Sequence, residues 1–187
     1  MTVKIKHLDL EESIEILYTL NHYAFTPTPP LPDFDGFAER IRGRKGVDYF
    51  GVFENDQPQA IGAAIHLMQN IHGQIISMGG VANVATHPSA RRKGYIRALM
   101  HRIYGEFNNE GIGISCLYPF KEAFYERLGY VTLPQAKIIR FDPKALYPTL
   151  QMELDGKVDL INFGEGLKEY QQFIEKLQQD IHGMALF

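Results

Sequence analysis

The stretch VANVATHPSARRKGYIR, residues 81–97, decides how the rest of the chain is read. Val81 to Thr86 reads as the end of a strand. It stops at Thr86-His87-Pro88, because Pro88 has no N–H and fixes its own φ. Arg92-Lys93-Gly94 then leads into a helix. Backbone N–H groups at a helix start have no internal partner, and the helix dipole is positive there. Such a point binds phosphate readily, and Gly94 lets the anion approach without meeting a Cβ. Basic residues are unfavourable at the positive end of a helix. Arg91, Arg92, Lys93 and Arg97 gathered around that end therefore call for an anion.

Outward from this turn, the pattern predicts a mixed sheet. Upstream, Gln74 to Thr86 is a long strand carrying Gly79 and Gly80, which inside a strand mark a bulge or a close backbone approach. Ala60 to Met68 and Asp48 to Glu54 are strands before it. The turn residues Asn55-Asp56-Gln57-Pro58 and Asn70 to Gly73 separate the three. Downstream, Ile96, Leu99, Met100, Ile103 and Phe107 line one face of a helix that Gly111 ends. Ile112 to Leu117 fits a short, fully buried strand. Phe120 to Leu128 is a short helix closed by Gly129, and Tyr130 to Phe141 gives a last strand pair, interrupted near Pro134.

At the start, Val3 to Leu8 alternates as a strand and Leu10 to Ala24 has helical spacing, with Asp9 as its cap. Four prolines within Thr26–Pro32 exclude regular structure there, and Asp33 to Arg44 reads as a short polar helix. A meander feeding a crossover helix predicts an α/β (α+β mixed) fold. Its central sheet is mixed and mostly antiparallel, with helices on both faces. In the tail, Gln151–Leu154 and Lys157–Phe163 flank Asp155-Gly156, a hairpin signal, and a helix follows over about 165–180. The expected division is 1–150 for the domain with the anion site and 151–187 for a hairpin and helix opening a second domain.

Composition narrows the function. The 187 residues suit one domain and part of another, and 45% hydrophobic with 22% charged residues suits a globular core. A formal net charge of −3 argues against nucleic acid as a partner. Cys116 is the single cysteine and reads as a small core residue. No apolar run approaches ~18 residues, so no membrane span is expected. The start lacks an apolar signal core, which makes a cytoplasmic protein the simplest expectation. His66 and His72 lack ligand spacing, so no metal site is expected. The spacing of a nucleotide P-loop is absent.

Val84 to Arg97 resembles the acetyl-CoA signature of the GNAT N-acetyltransferases, usually Arg or Gln, two residues, Gly, one residue, then Gly or Ala. Here it reads Arg91-Arg92-Lys93-Gly94-Tyr95-Ile96. Ile96 departs from the broad pattern and is closer to the Eis (enhanced intracellular survival) branch. There Arg-Arg-Arg/Lys-Gly is followed by two larger residues and Arg. Phe124-Tyr125-Glu126-Arg127-Leu128-Gly129-Tyr130 looks like the same branch's tyrosine motif.

The resemblance implies acetyl-CoA as co-substrate and a primary amine, possibly cationic, as acceptor. Val84, Ala85 and Thr86 would offer backbone groups to the pantetheine arm. Arg92, Lys93, Gly94, Tyr95, Ile96 and Arg97 would hold the diphosphate and nearby phosphate. Phe120 and Lys121 would lie near the acyl end or the adenine side. Tyr125 would be the general acid. On the residues alone it reads as a core aromatic beside Tyr23, Tyr95, Tyr104, Tyr118 and Tyr130, and the motif selects it. No general base follows. His22, Asp33, Asp35 and Glu54 are candidate substrate-pocket groups, though each reads more readily as an ordinary surface residue, and His87 reads as structural. Full-length members of that branch continue through a second GNAT-like domain and form oligomers, so the resemblance implies a truncated chain. A non-catalytic acyl-CoA-binding module is the alternative to an enzyme.

Overall fold

In a computed structural model of the protein, residues 2–133, 139–153, 155–157 and 159–186 are described. Strands β1 (Val3–His7), β2 (Val47–Glu54), β3 (Gln57–Ile71) and β4 (Gln74–Thr86) form an antiparallel meander, and β5 (Ile114–Leu117) adds in parallel beside β4. The sheet is therefore mixed and mostly antiparallel, as expected. Its tight turns rest on residues that tolerate positive φ. Asn55 and Asp56 lie at 50° and 61°, and His72 and Gly73 at 51° and 83°.

Helices cover both faces. Helix α1 (Leu10–Phe25) and α2 (Phe34–Arg42) pack on one. Asp9 caps α1 by accepting from the Glu11 and Glu12 N–H groups, and Asp33 caps α2 through Gly36 N–H. Their apolar stripes close over Tyr49, Phe53, Ile61, Ala63 and Ala85. Helix α3 (Tyr95–Asn109) lies on the opposite face, where Leu99, Met100, Ile103 and Phe107 meet Phe50, Val52, Ala60, Ala64 and Val81. The short α4 (Glu122–Glu126) contributes Tyr125 to this second layer.

The two strand glycines serve a close approach. A Cβ on Gly79 would collide with the Phe107 ring, and one on Gly80 would stand 3.2 Å from Ile65. The bulge lies further on, at Asn83 (φ 52°), where the β3–β4 register shifts between Ile61 and Ala63.

Three expectations change. Strand β5 is half-buried rather than fully buried, because it lies at the end of the strand order with its second edge unpaired among the described residues. The described residues of Tyr130–Phe141 form no strand, and 134–138 lie outside the described residues. The described residues of 151–162 carry no strand either, and Leu154 and Val158 of the expected Asp155-Gly156 hairpin lie outside the described residues. A short helix α5 (Tyr147–Leu150) precedes that segment.

Helix α6 (Phe163–Asp180) follows, as expected, and a two-residue strand β6 (Ala185–Leu186) returns to the sheet. Strand β6 pairs with Met68 and Gln69, beyond the point where β2 leaves β3. No described helix is long and apolar enough to cross a membrane.

Candidate acyl-CoA site

The β4–β5 ladder joins Met78–Val81 to Ile114–Leu117 and goes no further. Beyond it, residues 82–86 of β4 keep β3 on one side only. Backbone N–H and C=O groups alternate in direction along a strand, so part of this segment offers free hydrogen-bonding groups to the gap. The Asn83 bulge bends β4 at the start of that gap. Val84 and Thr86 are half-buried beside it, and Ala85 is buried towards α1.

The turn follows directly. His87 N–H donates to the Gln59 carbonyl at 2.7 Å and ends the pairing. The His87 ring sits on the Ser89 hydroxyl at 2.8 Å and caps a 3₁₀ turn over Pro88–Ala90, the structural role expected of it. Gly94 then takes φ 83°, in the left-handed region, as the residue before α3. No heavy atom lies within 4 Å of where its Cβ would be. The helix start is therefore open to an anion, and the first N–H groups of α3 have no intrahelical partner.

The cations of the turn divide into two pairs. Arg91 donates to the Tyr23 hydroxyl at 2.6 Å and lies 5.6 Å from that ring's centroid. This links the turn to the last helical turn of α1. Lys93 reaches the Glu54 carboxylate at 2.8 Å, and the Tyr95 hydroxyl donates to the same carboxylate at 2.5 Å. The Lys93 ammonium is thus turned onto Glu54. Arg92 and Arg97 are exposed, with no hydrogen bond or ion pair among the described residues. Glu54 is buried rather than an ordinary surface residue. Hydrogen bonds from Lys93 and Tyr95 hold its carboxyl below the usual range, and Glu54 in turn raises both partners. The sequence missed this role, since nothing local links position 54 to 93 and 95.

Tyr125 is 4% exposed and packs edge-on against Phe120, Phe124 and Tyr130, with centroids 5.6, 5.0 and 5.9 Å away. Burial, and then the neighbouring Tyr130, push its phenol above the ordinary value and keep it protonated. The Tyr130 hydroxyl shares a 2.8 Å hydrogen bond with Ser115 on β5. Phe120 and Lys121 are exposed before α4. Cys116 is half-buried, and burial raises its thiol pKa.

Among the described residues, one cluster far from the turn carries ligand chemistry. Asp48, His66 and Glu110 bring ligand atoms within 4.8 Å of one another. The two ring nitrogens of His66 lie on different carboxylates, Nε2 at 2.7 Å from Asp48 and Nδ1 at 3.0 Å from Glu110. They diverge from a common centre, and the ring bridges β2, β3 and the end of α3.

The sequence pattern of the Acetyltransferase (GNAT) domain family matches residues 4–133. The chain belongs to this family. Solved GNAT structures agree in fold. A predicted acetyltransferase from Clostridium acetobutylicum, solved with acetyl-CoA, is 15% identical, with TM-score 0.64 over 74% of this chain and 96% of that one. Glucosamine-6-phosphate N-acetyltransferase from Arabidopsis thaliana is 18% identical, with TM-score 0.58 over 76% of this chain and 100% of that one. A probable N-acyltransferase from Enterococcus faecalis V583 is 25% identical, with TM-score 0.61. That match covers 69% of this chain and 32% of the other, so the chain spans about a third of its length. No curated protein matches the chain. Acetyl transfer is the chemistry for which this domain family is named.

Proposed function

We propose that the protein transfers an acetyl group from acetyl-CoA to a primary amine. Three features together support the reading. These are the half-paired segment 82–86, the open Gly94 helix start, and the protonated, buried Tyr125 in the same core layer as Tyr95 and Val81. Val84, Ala85 and Thr86 pair with the pantetheine arm as an added strand would. Backbone N–H groups of Lys93, Gly94, Tyr95 and Ile96, with the Arg92 and Arg97 side chains, hold the diphosphate and adjacent phosphate. Phe120 and Lys121 border the cofactor.

The acceptor nitrogen, as a neutral amine, forms the new C–N bond while the C–S bond breaks. An N–H near Ala85 polarises the thioester carbonyl. Tyr125 gives its proton to the departing thiolate, and the amine's surplus proton, passed through solvent, restores the Tyr125 phenol. The acidic chain favours a cationic acceptor, such as an aminoglycoside or a lysine side chain.

The tyrosine motif at 124–130 supports placement in the Eis-like branch. In that reading 1–150 is the acyl-CoA domain and 151–187 opens a second GNAT-like domain.

Isothermal titration with acetyl-CoA and a thiol-release assay over a panel of amines test the proposal. Tyr125→Phe is expected to lower kcat by about 10²–10⁴, the usual contribution of a general acid. Its acetyl-CoA affinity should match wild type, whereas Arg92→Ala weakens binding. Tight binding with no thiol release from any amine would instead favour the non-catalytic module.

A further inference from the structure

Glu54 ends β2, and β2 and β4 run parallel through their shared neighbour β3, so both finish at the sheet edge that holds the turn. Its side chain is 10% exposed and lies on the α3 face. A lone carboxylate behind an anion site should repel the ligand. Here both of its oxygens are used, Oε2 by the Lys93 ammonium at 2.8 Å and Oε1 by the Tyr95 hydroxyl at 2.5 Å. Residues 93 and 95 flank Gly94, so one carboxylate grips both sides of the left-handed residue that opens the helix start. The grip draws two side chains towards the sheet and leaves the Gly94 position clear on its outer side.

We propose that Glu54 is the positioning residue of the phosphate turn, and that Lys93 acts as its counter-ion rather than as a side-chain ligand of the diphosphate. The proposal rests on reading the turn as the acyl-CoA site. It makes a definite ordering. Removing the Lys93 charge alone leaves a poorly solvated carboxylate facing the anion. Removing both charges leaves a neutral pair of similar shape. A Lys93 that touched phosphate directly would give the reverse pattern: losing Glu54 would free the lysine and tighten binding.

The experiment is acetyl-CoA titration of wild type, Glu54→Gln, Lys93→Met and the double variant, with urea unfolding of the same four proteins. Lys93→Met is expected to weaken binding about tenfold and the double variant to return within about threefold of wild type, while Glu54→Gln alone binds more weakly than wild type. The KM of the acceptor amine should not move. A double variant as weak as Lys93→Met, a Lys93→Met that binds like wild type, or a Glu54→Gln that binds more tightly would each overturn the assignment. If the wild type binds no acetyl-CoA, the acyltransferase reading falls by itself. The urea data then decide the pair: non-additive losses keep Lys93 as the counter-ion of Glu54, and additive losses overturn it.

Discussion

At residue scale, the turn is governed by pairing as much as by charge. Four cations stand close together in sequence, yet Arg91 is engaged with Tyr23 and Lys93 with Glu54. The sequence shows why an anion is wanted there, since clustered cations sit at the positive end of a helix. It cannot show which cations are spent internally, because the partners lie at positions 23 and 54 and only the fold brings them near. Glu54 also predicts a pH effect. Its folded pKa is held below the ordinary 4.5, so its stabilising contribution is complete above pH 4.5 and is lost as the pH falls through the folded value. The stability gap between wild type and Glu54→Gln, measured by urea unfolding, should be constant near neutrality and shrink below pH 4.5. A gap that widens on acidification would contradict the pairing.

At element scale, the sheet and helices were legible because their signals are local. Asp9 and Asp33 cap the helices they precede, Asn55-Asp56 makes the expected turn, and Ile96 to Phe107 keeps one buried stripe. The signals failed where an element depends on a partner. Asp155-Gly156 has good turn chemistry, but a hairpin needs a sheet to receive it, and the described flanks run without strand structure. Strand β6 has only two residues and exists because β3 outlasts β2. A glycine inside a strand marks a bulge or a close approach, and the Phe107 ring shows which applies to Gly79. That close approach seats α3, whose first turn is the proposed anion site. Gly79→Ala should therefore lower unfolding free energy by about 1–3 kcal/mol through overpacking. The check is the urea midpoint, with acetyl-CoA affinity measured alongside. The affinity should fall too, since lifting α3 displaces Gly94. A midpoint equal to wild type would mean that the Phe107 ring moves aside freely.

At the scale of the whole molecule, the tail is fastened around one buried residue of the sheet. Asn70 is 1% exposed. Its side-chain nitrogen donates to the Gln178 and Gln179 carbonyls at 2.7 and 2.8 Å, capping the end of α6. Its backbone N–H donates to Met184 and its carbonyl accepts from Gly183. Gln178 returns a hydrogen bond to the Met68 carbonyl at 2.6 Å, and the His72 and His182 rings stack 4.4 Å apart. The last turn of α6 and strand β6 are thus fastened to the β3–β4 hairpin, at the end of the sheet away from the phosphate turn. Meanwhile Phe163, Tyr170 and Phe173 on α6 remain exposed. Asn70→Ala removes the cap and leaves two helix-end carbonyls without their donor, which costs about 1–3 kcal/mol when such groups stay buried. Because the backbone bonds to Gly183 and Met184 do not need the side chain, the loss should be local. The Asn70 Oδ1 also accepts from Gly73 N–H, so amide hydrogen exchange should speed up across 174–186 and at the β3–β4 turn while α3 keeps its protection, and acetyl-CoA affinity should hold within twofold, about 0.4 kcal/mol. Equal acceleration in α3 would instead show that the tail and the acyl-CoA domain unfold as one unit, and would place the fold's cooperative boundary after residue 186 rather than at the proposed division near 150.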